Sequence, residues 1–227
     1  MTNRTSDTPL FPGIRLIVFD LDGTVVDAFA DIAAAANYGL KIVGRGPLDV
    51  ATVSRYVGHG GRDLMRSCLG DDASEEEINR AFEGWRAYYA EHPADFAKPY
   101  PGVEPTLVEL RRRGIRLAVI SNKIHEVSRA ALQRLGLAPY FDVIQGETPD
   151  LPRKPDPEAL RCLMEQFGVM PEETLMVGDG DADMAVARNA GVAAVGVSYG
   201  VSSAARLEEL GATLVIDHFA GLLNVLG

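Results

Sequence analysis

The sequence predicts an open α/β fold, a doubly wound parallel sheet with a helical block inserted after the first strand. Three observations carry that prediction. Short apolar runs recur at Leu16-Ile17-Val18-Phe19, Leu117-Ala118-Val119-Ile120, Phe141-Asp142-Val143-Ile144, Thr174-Leu175-Met176-Val177, Ala193-Ala194-Val195-Gly196-Val197 and Leu214-Val215-Ile216. Their near-continuous hydrophobicity suits strands covered on both faces of a parallel sheet. From about residue 100 onward, helical patterns alternate with these runs, as repeated βα units do. Between residues 27 and 98 the alternation stops and only helical patterns remain, which marks an inserted unit.

In chain order, the first strand runs directly into Asp20-Leu21-Asp22-Gly23-Thr24. Residues 30–43, 51–69 and 74–90 read as helices, the second interrupted by a loop at Gly58-His59-Gly60-Gly61. Phe82 and Trp85 are an i, i+3 pair, and Trp85, Tyr88 and Tyr89 are assigned to the interior of this helical block. Its junctions, near residues 25–28 and 93–101, are expected to act as hinges. The chain then divides into a core of residues 1–26 and 99–227 and a cap of residues 27–98. Beyond the block, Val103, Leu107 and Leu110 fall at i, i+4, i+7, and Leu160, Leu163, Met164 and Phe167 at i, i+3, i+4, i+7, so each set forms an apolar stripe for packing on the sheet. Gly114, Gly136, Gly168 and Gly191 stand where such helices should close.

The length permits a sizeable buried core, and 47% hydrophobic with 24% charged residues is the balance of a soluble globular chain, not a disordered one. Thirty-two acidic residues outweigh 22 basic ones, a net charge of −10, with no basic stripe. That charge argues against nucleic acid and anionic membranes as partners. No apolar run reaches the length of a membrane span, and the opening MTNRTSDTPLFPG lacks the apolar core of a leader. Cys68 and Cys162 lie in helical segments outside any C-x-x-C spacing and are read as buried or half-buried free thiols. A cytoplasmic location is the expectation.

Asp20 and Asp22 are two residues apart at a strand end, so both can face one spot. Two carboxylates that close resist joint ionisation unless a proton or a cation intervenes. In open α/β sheets the ligand crevice lies beyond the carboxyl ends of the strands. There the topology gathers Asp20 and Asp22, then Ser121 and Asn122, then Lys154 before a helix expected to start near Pro155, and Asp179 with Asp183. Hard carboxylate oxygens without nearby histidine or cysteine favour Mg²⁺. Lys154 supplies a fixed positive charge, and the Ser121 hydroxyl with nearby backbone N–H groups supplies donors for phosphoryl oxygens. A carboxylate can attack phosphorus covalently. The parts fit phosphoryl transfer from a small-molecule phosphate ester. Taken singly, Ser121 could cap the following helix and Asp179 or Asp183 could favour the start of the next; a helix start also binds phosphate, so these roles coexist with catalysis.

At these residues the sequence resembles the haloacid dehalogenase superfamily, specifically its phosphatases with a helical cap inserted after the first motif. The likeness runs from about Ile14 to Gly227 and rests on Asp20-Leu21-Asp22-Gly23-Thr24, Ser121-Asn122-Lys123, Lys154-Pro155-Asp156-Pro157 and Gly178-Asp179-Gly180-Asp181-Ala182-Asp183, in that order. The resemblance implies a Rossmann-like core. It implies Asp20 as nucleophile, forming an aspartyl-phosphate, and Asp22 as the acid that protonates the leaving alcohol and then the base that activates water. Asp22 should therefore sit where its neutral form is favoured. It further implies Mg²⁺ held by the Asp20 side chain, the Asp22 backbone carbonyl and Asp179, with Asp183 as ligand or adjacent partner. Ser121 and the Asn122 backbone would hold the phosphoryl group, and Lys154 would position Asp20.

Softer marks, Tyr100-Pro101-Gly102-Val103, Leu135-Gly136-Leu137 with Tyr140-Phe141-Asp142, and Val197-Ser198-Tyr199-Gly200, are similar to the phosphoglycolate phosphatase branch. Gly180 stands where that branch often carries Ser or Thr, and Gln145-Gly146-Glu147 where Gly-Gly-Asp is common. In the cap loop, Arg62 and His59 are expected to meet the leaving group, since an arginine can grip a carboxylate bidentately; the competing expectation for Arg62 is pairing with Asp63 or solvent. His92, His125 and His218 are expected at the surface or at helix ends. The alternatives of the same cap type are a β-phosphoglucomutase-like enzyme and a pyrophosphatase. From outside catalysis comes a phospho-ligand sensor, which would ordinarily have lost Asp20, Asp22 or Lys154. Dehalogenation and phosphonate cleavage are disfavoured by the presence of Asp22.

Overall fold

The computed structural model describes residues 10–226; most of the opening segment MTNRTSDTPLFPG, expected to lack a leader, lies outside the described residues. In chain order the elements are β1 (Leu16–Phe19), β2 (Val26–Asp27), α1 (Phe29–Ile42), α2 (Val50–Ser54), α3 (Gly61–Leu69), α4 (Glu75–Glu91), β3 (Lys98–Pro99), α5 (Val103–Arg112), β4 (Arg116–Ile124), α6 (His125–Arg134), β5 (Val143–Glu147), α7 (Glu158–Phe167), β6 (Thr174–Gly178), α8 (Asp181–Ala190), β7 (Ala193–Val197), α9 (Ala204–Glu209) and β8 (Leu214–Ile216). Every apolar run singled out from the sequence contributes to the main sheet, whose six parallel strands lie in the order β5-β4-β1-β6-β7-β8. The chain winds outward from β1 through β4 to β5, returns to the other flank of β1 at β6, and continues to β8. This reversal of winding beside β1 opens a crevice at its carboxyl end.

Both faces of the sheet are covered, which is why β1 reads as an unbroken apolar run. Ile17 and Phe19 join one core with Leu117, Val119, Leu175 and Val177. Leu16 and Val18 join the other with Ala118, Met176 and the α7 residues Leu160, Leu163 and Met164. The alternation is that of successive strand residues pointing to opposite faces. Phe19 stacks on Phe219 with centroids 5.4 Å apart and meets Phe141 edge-on at 6.1 Å. Complete burial of such a side chain contributes roughly 1.5–3 kcal/mol.

Helices α1 to α4 fill the interval between β2 and β3. Helix α4 begins in a capping box: the Ser74 hydroxyl accepts from the Glu77 N–H at 3.2 Å, and the Glu77 carboxylate accepts from the Ser74 N–H at 3.1 Å. Close packing of α1 on α4 depends on Gly39, where a Cβ would stand 2.4 Å from the Ala81 carbonyl oxygen. The predicted helix over residues 51–69 is two helices with a wider break than the sequence indicated. Helix α2 ends at Ser54, and Gly58 and Gly60 then adopt φ of 133° and 94°, which an L side chain resists, before α3 starts at Gly61. Strands β2 and β3 pair antiparallel, Val26 with Pro99 and Asp27 with Lys98, at the two expected junctions. At two residues each they are too short to leave a periodic signal. Among the described residues no helix is long and apolar enough to cross a membrane. Cys68 is half-buried, and burial pushes its thiol up to about 11. Cys162, expected to be at least half-buried, is exposed because it lies on the solvent side of α7, away from the Leu160–Leu163–Met164 stripe.

Candidate active site

The carboxyl ends of β1, β4 and β6 bring together segments that are distant in sequence. Asp20 leaves β1 with its N–H bound to the Val177 carbonyl of β6 at 2.8 Å. Lys154 reaches in from the far side, its Nζ 2.7 Å from Asp20 Oδ1 and 2.6 Å from Asp183 Oδ1. Its backbone is held by the Asn122 side chain, which accepts from the Lys154 N–H at 2.9 Å and donates to the Lys154 carbonyl at 2.9 Å. The Asn122 side chain thus acts as a clamp on Lys154, which leaves only its backbone for a ligand. Helix α7 starts at Glu158, later than the predicted start near Pro155, and Lys154 lies in the loop before it.

Asp179 follows β6 and is braced on both carboxylate oxygens, accepting from the Thr24 hydroxyl at 2.9 Å and from the Val201 N–H at 2.7 Å. Two glycines make room for it: a Cβ at Gly23 would lie 2.2 Å from Asp179 Oδ2, and one at Gly200 2.3 Å from the same atom. Asp183, in the first turn of α8, accepts from the backbone N–H groups of Asp179 at 3.1 Å and Gly180 at 3.0 Å, so it shapes the helix start and the site together. Ser121 is not a helix cap. Strand β4 continues to Ile124 and α6 begins at His125, leaving the Ser121 hydroxyl to accept from the Lys123 N–H at 3.3 Å.

Asp20, Asp179 and Asp183 each offer an oxygen within 4.8 Å of the others. A cluster of buried oxygen donors without nitrogen or sulfur is the donor set a hard divalent cation takes. Burial pushes the Asp179 carboxyl well above the usual carboxylate range, and the negative charges of Asp20 and Asp183 add to that push. Asp183 is raised by burial and by Asp20, against the opposing pull of Lys154. Burial alone would lower Lys154, but Asp183 and Asp20 outweigh it and hold its ammonium up. Asp22 stands apart from the three. It is raised by burial despite the Lys123 ammonium, whose Nζ lies 2.9 and 3.1 Å from its two oxygens. The direction for Asp22 is the one the resemblance implied.

These groups line a cavity of about 340 Å³. Its other wall comes from the helical block and includes Arg55, His59, Gly60, Trp85 and Tyr89. The loop between α2 and α3 is tied across the cavity mouth: Asn122 Nδ2 donates to the Gly58 carbonyl at 2.8 Å, Arg153 to the His59 carbonyl at 2.6 Å, and His59 Nε2 lies 3.4 Å from Asp181 Oδ2.

The expectation for Arg62 requires correction. Its guanidinium points along the helical block, donating to Glu75 at 2.6 Å and Asn79 at 3.0 Å, and it does not line the cavity. The partner is Glu75, not Asp63, because α4 packs against α3. His59 does line the cavity. Trp85 and Tyr89 are buried as predicted, yet both also face the cavity. The arginines that line it are Arg55 and Arg206, neither of which the sequence distinguished from surface residues. In the sequence Lys123 is only the last residue of Ser121-Asn122-Lys123; its burial at 6% exposure beside Asp22 is a feature the motif spacing does not reveal.

Residues 17–197 match the family model of the haloacid dehalogenase-like hydrolases. The chain belongs to that family. The chain is 40% identical to the phosphoglycolate phosphatase of Rhodospirillum rubrum over 94% of this chain and 91% of that one. It is 38% identical to phosphoglycolate phosphatase 1 of Pseudomonas aeruginosa over 92% and 78% of the two chains. Among solved structures of the family, one from Haemophilus somnus, described as a predicted phosphoglycolate phosphatase, superposes with a TM-score of 0.87 at 29% identity, covering 94% of this chain and 98% of that one.

Proposed function

We propose that the protein is a Mg²⁺-dependent phosphomonoester hydrolase that works through an aspartyl-phosphate and takes 2-phosphoglycolate. One observation carries the reading: Asp20 sits among the clustered carboxylates and touches Lys154, while Asp22, two residues on, is turned away to Lys123. Two acids of one motif are thereby given different environments, which is what a nucleophile and a proton carrier need. Residues 27–98 act as the cap of this centre.

In the first step Asp20 attacks phosphorus, the bond from phosphorus to the ester oxygen breaks, and Asp22 gives its proton to the departing alkoxide. In the second, water attacks the aspartyl-phosphate, its proton passes to Asp22, and the phosphorus–Asp20 bond breaks to release inorganic phosphate. Ser121 and the Asn122 backbone hold phosphoryl oxygens, and Lys154 keeps Asp20 aligned. Asp20, Asp179, Asp183 and the Asp22 backbone carbonyl would hold the cation, which when bound offsets the negative charge of carboxylates and phosphoryl group. For the rest of the substrate, Arg55, His59 and Arg206 line the cavity and favour an anionic leaving group. That preference and the phosphoglycolate phosphatase names of the relatives support 2-phosphoglycolate over a neutral sugar phosphate.

Phosphate release from 2-phosphoglycolate, pyrophosphate and β-glucose 1-phosphate, with Mg²⁺ and with chelator, tests the proposal. The expected result is metal-dependent release with 2-phosphoglycolate preferred. Release only from another ester would overturn the substrate, and a requirement for a bisphosphate activator with little net phosphate would replace hydrolysis by mutase chemistry. Asp20→Asn should abolish release while the protein stays folded, since Lys154 keeps its bond to Asp183.

A further inference from the structure

The chain has four lysines, Lys41, Lys98, Lys123 and Lys154, and two of them are buried in this site, with side-chain exposures of 3% for Lys123 and 2% for Lys154. A buried ammonium is costly unless paired, so each needs a structural reason. Lys154 is accounted for by Asp20 and Asp183. Lys123 touches neither the nucleophile nor the carboxylate cluster. Its Nζ spans both oxygens of Asp22, at 2.9 and 3.1 Å, and its other contact is the hydroxyl of Tyr89, which accepts from the ammonium. The ammonium also lies 4.3 Å from the centre of the Tyr89 ring.

Tyr89 belongs to α4, in the helical block, whereas Lys123 belongs to β4 and Asp22 follows β1. Tyr89 is itself fixed: it is 1% exposed and meets Trp85 edge-on with centroids 5.4 Å apart. A carboxyl that must aim one oxygen at a leaving group gains little from burial alone, because rotation about its own side-chain bonds would misdirect it. An ammonium bound to both oxygens sets the plane of that carboxyl. The Tyr89 hydroxyl in turn sets the ammonium.

We infer that Lys123 is the positioning residue for the proton carrier Asp22, and that Tyr89 makes this positioning depend on the seating of the helical block. The inference rests on the hydrolase reading above. It assigns Lys123 no direct contact with the phosphoryl group and no grip on the substrate carboxylate.

The test compares kcat/KM, which reports the first phosphoryl transfer, for three esters. These are 2-phosphoglycolate, ethyl phosphate, and 4-nitrophenyl phosphate, whose nitrophenolate leaves as a stabilised anion and needs no proton. Lys123→Met should lower kcat/KM for both alkyl esters by about 100-fold, the scale of a misplaced or lost proton donor, and for the nitrophenyl ester by less than about tenfold. Asp22→Asn should give the same ratio between esters, and Lys123→Arg should restore part of the loss. Tyr89→Phe, which keeps the ammonium–carboxylate pair and the aromatic packing, should show the same pattern at smaller amplitude and keeps the test open if Lys123→Met fails to fold.

Equal losses on all three esters would mean that Lys123 is only structural, and a loss confined to 2-phosphoglycolate would mean that it grips the carboxylate; either result overturns the assignment. An unchanged Tyr89→Phe profile would remove the link to the helical block. A wild-type protein that releases phosphate from none of the esters would remove the hydrolase reading itself and this assignment with it.

Discussion

Replacing Lys154 by Met is the most informative single perturbation of the carboxylate cluster. The ammonium lies 2.7 Å from Asp20 and 2.6 Å from Asp183, and both carboxylates, with Asp179, offer oxygens within 4.8 Å of one another. Without the lysine, two unit charges no more than 4.8 Å apart repel by at least roughly 3.5 kcal/mol at an effective dielectric of about 20. Removing one partner from a buried ion pair costs about 3–5 kcal/mol. At about 2–4 °C per kcal/mol for a chain of this size, the melting temperature of the metal-free variant should fall by about 6–20 °C at neutral pH.

The pH dependence follows from the sign of the carboxyl shifts. Asp183 is already pushed up to about 6 with the lysine present, and removing the cation raises it further. A carboxyl whose folded value is raised holds a proton that the unfolded chain has released, so the folded state loses stability as pH rises from the unfolded value through the folded one. The deficit of the variant should therefore be smaller at about pH 5.5 than at about pH 7.5, and Mg²⁺ should narrow it at the higher pH. Thermal unfolding of chelator-treated wild type and variant at both pH values, then with Mg²⁺ restored, measures each term. An unchanged melting temperature, or a deficit of the same size at both pH values, would refute the electrostatic account of the cluster.

Gly200→Ala places a Cβ against the braced Asp179 carboxylate and should weaken Mg²⁺ activation about 10–100-fold, the range for disturbing a ligand's support; a titration of activity against Mg²⁺ reads it, and an unchanged half-saturation point would show that Asp179 does not bind the metal. Arg62→Ala should leave KM for 2-phosphoglycolate within about twofold of wild type, because its guanidinium is engaged with Glu75 and Asn79 away from the cavity. Arg55→Ala, by contrast, should raise KM for 2-phosphoglycolate more than for ethyl phosphate, and equal effects on the two esters would exclude Arg55 from carboxylate recognition.

The sequence by itself determined the sheet and the inserted block. Strands buried on both faces must be apolar throughout, so Leu16–Phe19 and its counterparts announce themselves locally, and the glycine and carboxylate motifs fall at strand ends where the crevice must be. The convergence of the four motifs on one cavity was legible for the same reason: each is short, and its place follows from the strand or turn on which it sits. The β2–β3 ribbon was not legible, because two residues per strand carry no period.

What only the tertiary structure decided is the partner of each charged side chain. Arg62, Arg55 and Lys123 are alike in sequence as cations near glycine or motif residues, yet one is spent on Glu75, one lines the cavity and one is buried against Asp22. A long cationic side chain reaches several ångströms in any direction, so its role is set by which carboxylates and hydroxyls the packing of α3, α4 and β4 brings within hydrogen-bond distance. That juxtaposition depends on contacts between residues 34 to 101 positions apart, such as Lys123 with Tyr89 and with Asp22, and no local pattern encodes it.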